Sequence, residues 1–218
     1  MKKVVAVDGP AGAGKSTVAK IVADKMGYTY IDTGAMYRAV AYKTLQMKKN
    51  VTDELILKAA ADIDITLRYE NGATRVFEGG AEITDKIRTP EINAIVSQVA
   101  KLGAVRDKMT GLQRKMAQSD AVIMDGRDIG TVVLPRADLK IFLVASVEER
   151  AKRRHKELTE KGHDVSFEEI KKSIENRDKT DSEREIAPLK QADDAILLDT
   201  TGLTIEEVTA KIIELCQG

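Results

Sequence analysis

An apolar run, Val4-Val5-Ala6-Val7, leads directly into Gly9-Pro10-Ala11-Gly12-Ala13-Gly14-Lys15-Ser16-Thr17, and Val18, Ile21, Val22 and Met26 follow at helical spacing. The run reads as a strand buried on both faces, and Gly27 marks the place where a helix would stop. Two glycines separated by four residues and followed by Lys-Ser match the phosphate-cradling loop pattern without a mismatch. Main-chain N–H groups of such a loop and of the helix start can surround an anion, while Lys15 brings a full charge to the outer phosphates. The Ser16 hydroxyl can ligate the magnesium ion that travels with a nucleoside triphosphate. Small residues at 11, 12 and 13 let the chain wrap closely. The bland alternative is a glycine-rich turn without a ligand.

A chain of 218 residues supports one well-buried core with room for an inserted subdomain. Basic and acidic residues balance at 35 each, so no global field points to nucleic acid or to an anionic membrane, and phosphate recognition has to come from local clusters. The single cysteine, Cys216, excludes an intramolecular disulfide framework and suits a reducing compartment. The start of the chain runs straight into the first strand, and no apolar run approaches the roughly 18 residues of a membrane span. The expectation is a cytoplasmic monomer.

Strand-like runs at 3–8, 28–31, 121–125, 139–145 and 195–199 alternate with helical patterns, which implies a five-stranded parallel sheet with helices on both faces. Ser146 with Glu149, Ser166 with Glu169 and Thr204 with Glu207 have capping-box spacing, and Thr89-Pro90 reads as an N-cap and first helical residue. In the closing helix Ile205, Val208, Ile212 and Leu215 share a face. Residues 63–88 break the alternation. Ile65, Leu67 and Tyr69 alternate with polar residues, Asn71-Gly72 offers a tight turn, Val76-Phe77 continues beyond it, and Glu82-Ile83-Thr84 could add a short strand. This is an antiparallel lobe inserted into an α/β fold. The single domain then divides into a core (about 1–62, 89–150 and 181–218), the inserted lobe (about 63–88) and a helical lid (about 151–180).

Four further segments can carry chemistry. Asp32-Thr33-Gly34-Ala35-Met36-Tyr37-Arg38 begins at the C-terminal end of the second strand, where open α/β sheets bind ligands. Thr33 can cap the next helix and Arg38 lies about one turn in, although a capped helix with a solvated arginine would read alike. Asp125-Gly126-Arg127-Asp128 follows a buried strand, which places Asp125 as a magnesium partner beside Ser16, Arg127 as an anion clamp and Asp128 as an acceptor. Arg150, Lys152, Arg153 and Arg154 make a basic helix before a Lys161-Gly162-His163 turn, the pattern of a lid closing over phosphates or of a plain solvated face. Arg177, Asp181 and Arg184 fall on one helical face, as a surface ion pair or as a clamp for a sugar beside a phosphate. Both histidines, His155 and His163, lie in the lid segment, so none is near the loop as a general base. An anionic acceptor attacking a γ-phosphoryl group needs little deprotonation and depends on positioning, magnesium and arginine charge.

Taken together, residues 9–17, 32–38, 125–133 and the run Arg177-Asp-Lys-Thr-Asp-Ser-Glu-Arg184 before Ala-Pro-Leu resemble the bacterial cytidylate kinases, P-loop members of the nucleoside monophosphate kinases. The match extends from about Val4 to the closing helix, and the resemblance implies that the antiparallel insertion at 63–88 belongs to the monophosphate-binding lobe. The resemblance implies ATP-dependent, magnesium-assisted phosphorylation of CMP and dCMP. It implies that Arg38, Arg127 and Arg184 gather the acceptor phosphate and that Thr33 stands near the acceptor nucleotide. Ser97, Arg106 and Asp128 would read the cytosine edge, and Arg177 and Asp181 would face the ribose. The residues expected to act on the transferring phosphoryl group are Lys15, Arg127, Arg153 and Arg184. Ser16 stands where some relatives carry glycine. The rival expectations are a P-loop kinase preferring UMP or a hydroxy-acid acceptor, a P-loop NTPase switch, and a non-catalytic nucleotide-binding module.

Overall fold

A computed structural model of the chain describes residues 3–48, 50–70, 72–118, 121–160, 162 and 164–218. The expected strands form one parallel sheet in the order β2-β6-β1-β7-β8: β1 (Val4–Asp8), β2 (Thr29–Asp32), β6 (Val122–Asp125), β7 (Leu139–Val144) and β8 (Ile196–Asp199). Val5, Ala6 and Val7 in the central strand are fully buried, which is why β1 is a continuous apolar run rather than an alternating one. Val7 pairs with Asp125 of β6 on one side and with Ile141 of β7 on the other, so the loops after β1 and β6 emerge side by side.

Helix α1 (Lys15–Met26) follows the glycine loop, and Gly27, at φ 69°, closes it by donating its N–H to the Ala23 carbonyl. With α8 (Ile205–Gln217) it covers one face of the sheet through Val18, Val22, Val208, Ile212 and the buried thiol of Cys216. Burial pushes that thiol up to about 11, leaving it inert. The capping boxes at Thr204 and Ser166 are present as expected. Ile205 departs from the apolar face: it is 47% exposed in the first turn of α8 and borders the cleft described below.

On the other side, α2 (Thr33–Met47), α3 (Asp53–Ala61), α4 (Pro90–Lys101) and α5 (Gly103–Met116) enclose Met36, Ile56, Ile92 and Met109. The antiparallel lobe contributes Ile65, Val76 and Ile83 to this same core. Its strands are β3 (Ile65–Glu70), β4 (Ala73–Glu78) and the two-residue β5 (Ala81–Glu82), while Asn71 lies outside the described residues. The expected third strand stops at Glu82 because Ile83 turns into the helical core. The lobe is also tied to α1. The Tyr69 hydroxyl donates to Asp24 at 2.7 Å, and its ring meets Tyr30 edge-on with centroids 5.6 Å apart.

Helices α6 (Val147–Glu160) and α7 (Phe167–Glu183) pair with each other around a separate small cluster of Ala151, Ile170 and Ile174. Only two large side chains are buried there, each worth about 1.5–3 kcal/mol, so the pair has a small apolar core of its own. Lys161 and His163 of the expected lid turn lie outside the described residues. No helix among the described residues is long and apolar enough to cross a membrane.

Candidate active site

A cleft of about 720 Å³ opens at the C-terminal ends of β1, β2 and β6. Its floor is the glycine loop. Gly9, at φ 144°, lies so close to β7 that an added Cβ would fall 2.0 Å from the Leu143 carbonyl oxygen. Lys15 is buried and donates to the Pro10 carbonyl at 2.7 Å. Burial first, and the Arg127 charge second, hold its ammonium well below the ordinary lysine range. Asp125 and Asp8 pull the other way, and a bound phosphate would add a further counter-charge.

Ser16 and Asp125 meet as expected: the serine hydroxyl donates to Asp125 Oδ2 at 2.7 Å. The Tyr30 hydroxyl donates to Oδ1, also at 2.7 Å. Burial and then neighbouring Asp32 raise the Asp125 carboxyl above its usual value. A buried carboxylate beside a hydroxyl is a hard oxygen pair that suits magnesium. Among the described residues no cluster of three His, Cys, Asp or Glu side chains gathers, so the ion would complete its shell with phosphate oxygens and water.

One expectation for the second segment is corrected. Asp32, not Thr33, caps α2, because its extended backbone lets Oδ1 accept the Ala35 N–H at 2.9 Å. Thr33 donates instead to the Asp125 carbonyl at 2.7 Å, joining the loops after β2 and β6.

Arg38, Arg127, Arg177 and Arg184 converge on the wall facing the glycine loop. Arg127 Nε donates to Asp181 Oδ2 at 2.8 Å, and burial, Arg127 and Arg38 bring the Arg177 guanidinium down to about 10. Burial, the largest single influence, pushes the Asp181 carboxyl up, but Arg127, Arg177 and Arg184 together hold it below the usual carboxylate range. The Arg177 Nε and Arg184 Nη2 atoms are buried without a hydrogen-bond partner. Such orphaned cationic donors ask for an anion.

Deeper in the cleft, Arg106 of α5 and Asp128 form a buried ion pair, with Arg184 Nη2 3.7 Å from the other carboxylate oxygen. The Arg106 guanidinium lies 5.5 Å from the Tyr37 ring centroid. Ser97 of α4 lines the same pocket. Among the described residues the antiparallel lobe supplies none of the lining, and α4 and α5 supply the far wall.

The basic helix is only partly a phosphate face. Arg150 is 3% exposed and donates to the Ala145 and Ala11 carbonyls and to Asp178. It is therefore a tether between the glycine loop and the base of the helix pair. Lys152 is exposed and paired with Glu148. Arg153 lines the cleft but donates to Glu149 at 3.0 Å and to the Thr200 carbonyl at 2.9 Å.

Residues that the sequence did not single out include Tyr30, on a strand where it reads as core, and Leu203 and Ile205, which form the apolar rim beside the glycine loop. The one available signal for the rim was Ile205 falling in the first turn of a capped helix, where burial is incomplete.

A glycine loop on a five-stranded parallel sheet, a hydroxyl–carboxylate pair and an arginine-lined second pocket define an ATP-type phosphotransferase of the P-loop kinase class. The comparisons narrow the class. The Cytidylate kinase family model matches residues 5–218, and the chain belongs to that family. It is 53% identical over 217 residues to a cytidylate kinase of Bacillus licheniformis, covering 98% of this chain and 96% of the relative. It is 51% identical over 215 residues to a cytidylate kinase of Bacillus cereus, with the same coverage. A crystal structure of an uncharacterized protein from Eubacterium ventriosum shares the fold with a TM-score of 0.54 at 13% identity, covering 100% of this chain and 99% of the other.

Proposed function

We propose that the chain transfers the γ-phosphoryl group of ATP to CMP, and also to dCMP, giving the nucleoside diphosphate and ADP. The observation that carries this reading is the facing of two anion sites, one made of main-chain amides and Lys15, the other of Arg38, Arg127, Arg177 and Arg184. One acceptor phosphate oxygen attacks the γ-phosphorus, and the bond from that phosphorus to the bridging oxygen of ADP breaks. The acceptor oxygen is already anionic, so no base is required, which agrees with a lining that, among the described residues, holds no histidine.

The glycine loop holds the donor phosphates in place through its amides, and Lys15 offsets charge on the outer ones. The arginines hold the acceptor phosphate against the donor and neutralise charge that would otherwise drive the two apart. Arg127 and Arg184, both in the lining, are the arginines assigned to the transferring group. Arg153 could join them only after leaving Thr200, which a movement of α6 would allow. Magnesium, held by Ser16 and through water by Asp125, would neutralise the donor oxygens when bound. In the division into core, lobe and lid, the core carries both the donor site and, through α4 and α5, the acceptor wall, while the α6–α7 pair of the lid closes the side of the cleft with Arg153, Arg177 and Asp181.

Cytosine selection follows from Asp128 and Arg106. Asp128 can accept from the exocyclic amino group and Arg106 can donate to the ring acceptors, whereas uracil places a carbonyl against the carboxylate. Arg177 and Asp181 are the ribose-side groups. A monomer working in a reducing cytoplasm, with nucleotides as its only partners, accords with the single buried thiol. The test is ADP release from ATP and magnesium with CMP, dCMP, UMP, AMP and shikimate as acceptors. Turnover with CMP and dCMP well above the others is expected, and a preference for UMP or for a hydroxy-acid would overturn the reading.

A further inference from the structure

Asp8 closes β1 one residue before the glycine loop, yet its carboxylate serves the other pocket. Oδ1 accepts the Ile129 N–H at 2.8 Å and Oδ2 accepts the Gly130 N–H at 2.7 Å, and the residue is 5% exposed. These two amides open a single π-helical turn (Ile129–Val133) that begins directly after Arg127 and Asp128. A π-helical turn is rare and is held by its surroundings rather than by its own propensity. Gly130 is packed tightly over the carboxylate: an added Cβ would lie 3.4 Å from Asp8 Oδ2 and 3.1 Å from Lys140 Cδ.

We infer that Asp8 is a positioning residue for acceptor recognition, fixing Asp128 and Arg127 from beneath by holding the turn that follows them. It is not among the residues that line the cleft. The same side chain joins the donor loop to the acceptor loop, so a shift in either is passed to the other through two hydrogen bonds. Three charged groups face it: Lys15 from α1, Asp128 from the loop, and the Lys140 stem across Gly130, whose ammonium is occupied by the Pro135 carbonyl and Asp194. Burial raises the Asp8 carboxyl to about 6, which two amide bonds and Lys15 only partly offset. The group is thus retained at a cost that an apolar strand residue would not carry.

The inference rests on the CMP kinase reading, and wild-type turnover with CMP tests that reading separately. Asp8→Asn keeps the shape but places an NH2 against one of the two N–H groups. Losing one buried, charge-assisted hydrogen bond is expected to raise KM for CMP about ten-fold, with KM for ATP unchanged within about two-fold. The CMP-to-UMP ratio of kcat/KM should narrow about five-fold or more on the same account. Because Asp8 acts through Asp128, adding Asp8→Asn to Asp128→Ala should narrow that ratio no further. If Asp8→Asn does not fold, Gly130→Ala reaches the same contact from the other side and should give the same split between CMP and ATP. Equal loss for CMP and UMP, a raised KM for ATP alone, or independent multiplication of the two substitutions would overturn the inference.

Discussion

The Nε of Arg127 lies 2.8 Å from Asp181 Oδ2, tying the loop after β6 to helix α7 across the mouth of the acceptor pocket. This pair is not an ordinary surface bridge. Asp181 is 6% exposed, and two arginines act on it from the pocket side. Removing the carboxylate frees Arg127 and leaves Arg177 with one fewer counter-charge. Asp181→Ala should raise KM for CMP by about ten-fold, in line with the roughly 1.5–3 kcal/mol of a hydrogen bond to a charged group. KM for dCMP should rise by a different factor if the carboxylate faces the ribose. Steady-state kinetics with both acceptors check this, and identical factors would remove Asp181 from the ribose side.

Arg184 follows α7 and donates to the Ala187 carbonyl, while its Nη2 lies 3.7 Å from Asp128 Oδ1 without a hydrogen bond. Burial and Arg106 act against its charge, and Asp128 and Asp181 act for it. Arg184→Ala should lower kcat about 100-fold or more, as the removal of one charge-stabilising donor does elsewhere. The unfolding free energy should change by less than about 1 kcal/mol. Turnover and urea denaturation measured on one preparation separate the two, and wild-type turnover would exclude Arg184 from the chemistry.

Asp128→Ala leaves Arg106 buried with a single carbonyl partner, that of Ala100. Breaking a buried pair from one side costs about 3–5 kcal/mol, so this variant should be clearly less stable as well as less selective. Its CMP-to-UMP ratio should fall about ten-fold, and an unchanged ratio at the lowered stability would show Asp128 to be structural only.

Asp8 imposes a pH dependence on the fold. Its carboxyl is raised from 3.8 to about 6 on folding. Between those values the folded state binds more protons than the unfolded one, so this residue's contribution falls as pH rises through the window. Above about 6 the full penalty stands, on the order of 3 kcal/mol. Asp8→Asn should remove that slope: urea midpoints of the variant and the wild type should converge near pH 4 and separate in the variant's favour near pH 7. Parallel curves across the range would mean that Asp8 is already ionised at pH 4 in the folded protein.

The strands were legible because a doubly covered parallel sheet needs unbroken apolar runs, and all five fall within a residue or two of their expected ends. The glycine loop and the Ser16–Asp125 pair were legible because local chemistry dictates both. Ser97 and Arg106 were not, since α4 and α5 carry no local mark of facing a pocket, and only the family resemblance pointed to them. Arg150 was misread as part of a free basic face. Its neighbours in sequence are solvated, and what buries it is Asp178, 28 residues away. The cap of α2 was misplaced by one residue because Asp32 and Thr33 are both competent caps, and the Asp125 carbonyl, distant in sequence, claims the threonine.

Gly9 leaves no space between the phosphate loop and the neighbouring Leu143 carbonyl. In a library randomised at that codon, glycine alone should survive selection for growth on the enzyme, whereas Gly111, with nothing within 4 Å of an added Cβ, should accept most replacements. The first letter of the nucleotide-binding motif is thus fixed by the closeness of the neighbouring strand β7, and it would stay invariant even in a descendant that had given up nucleotides altogether.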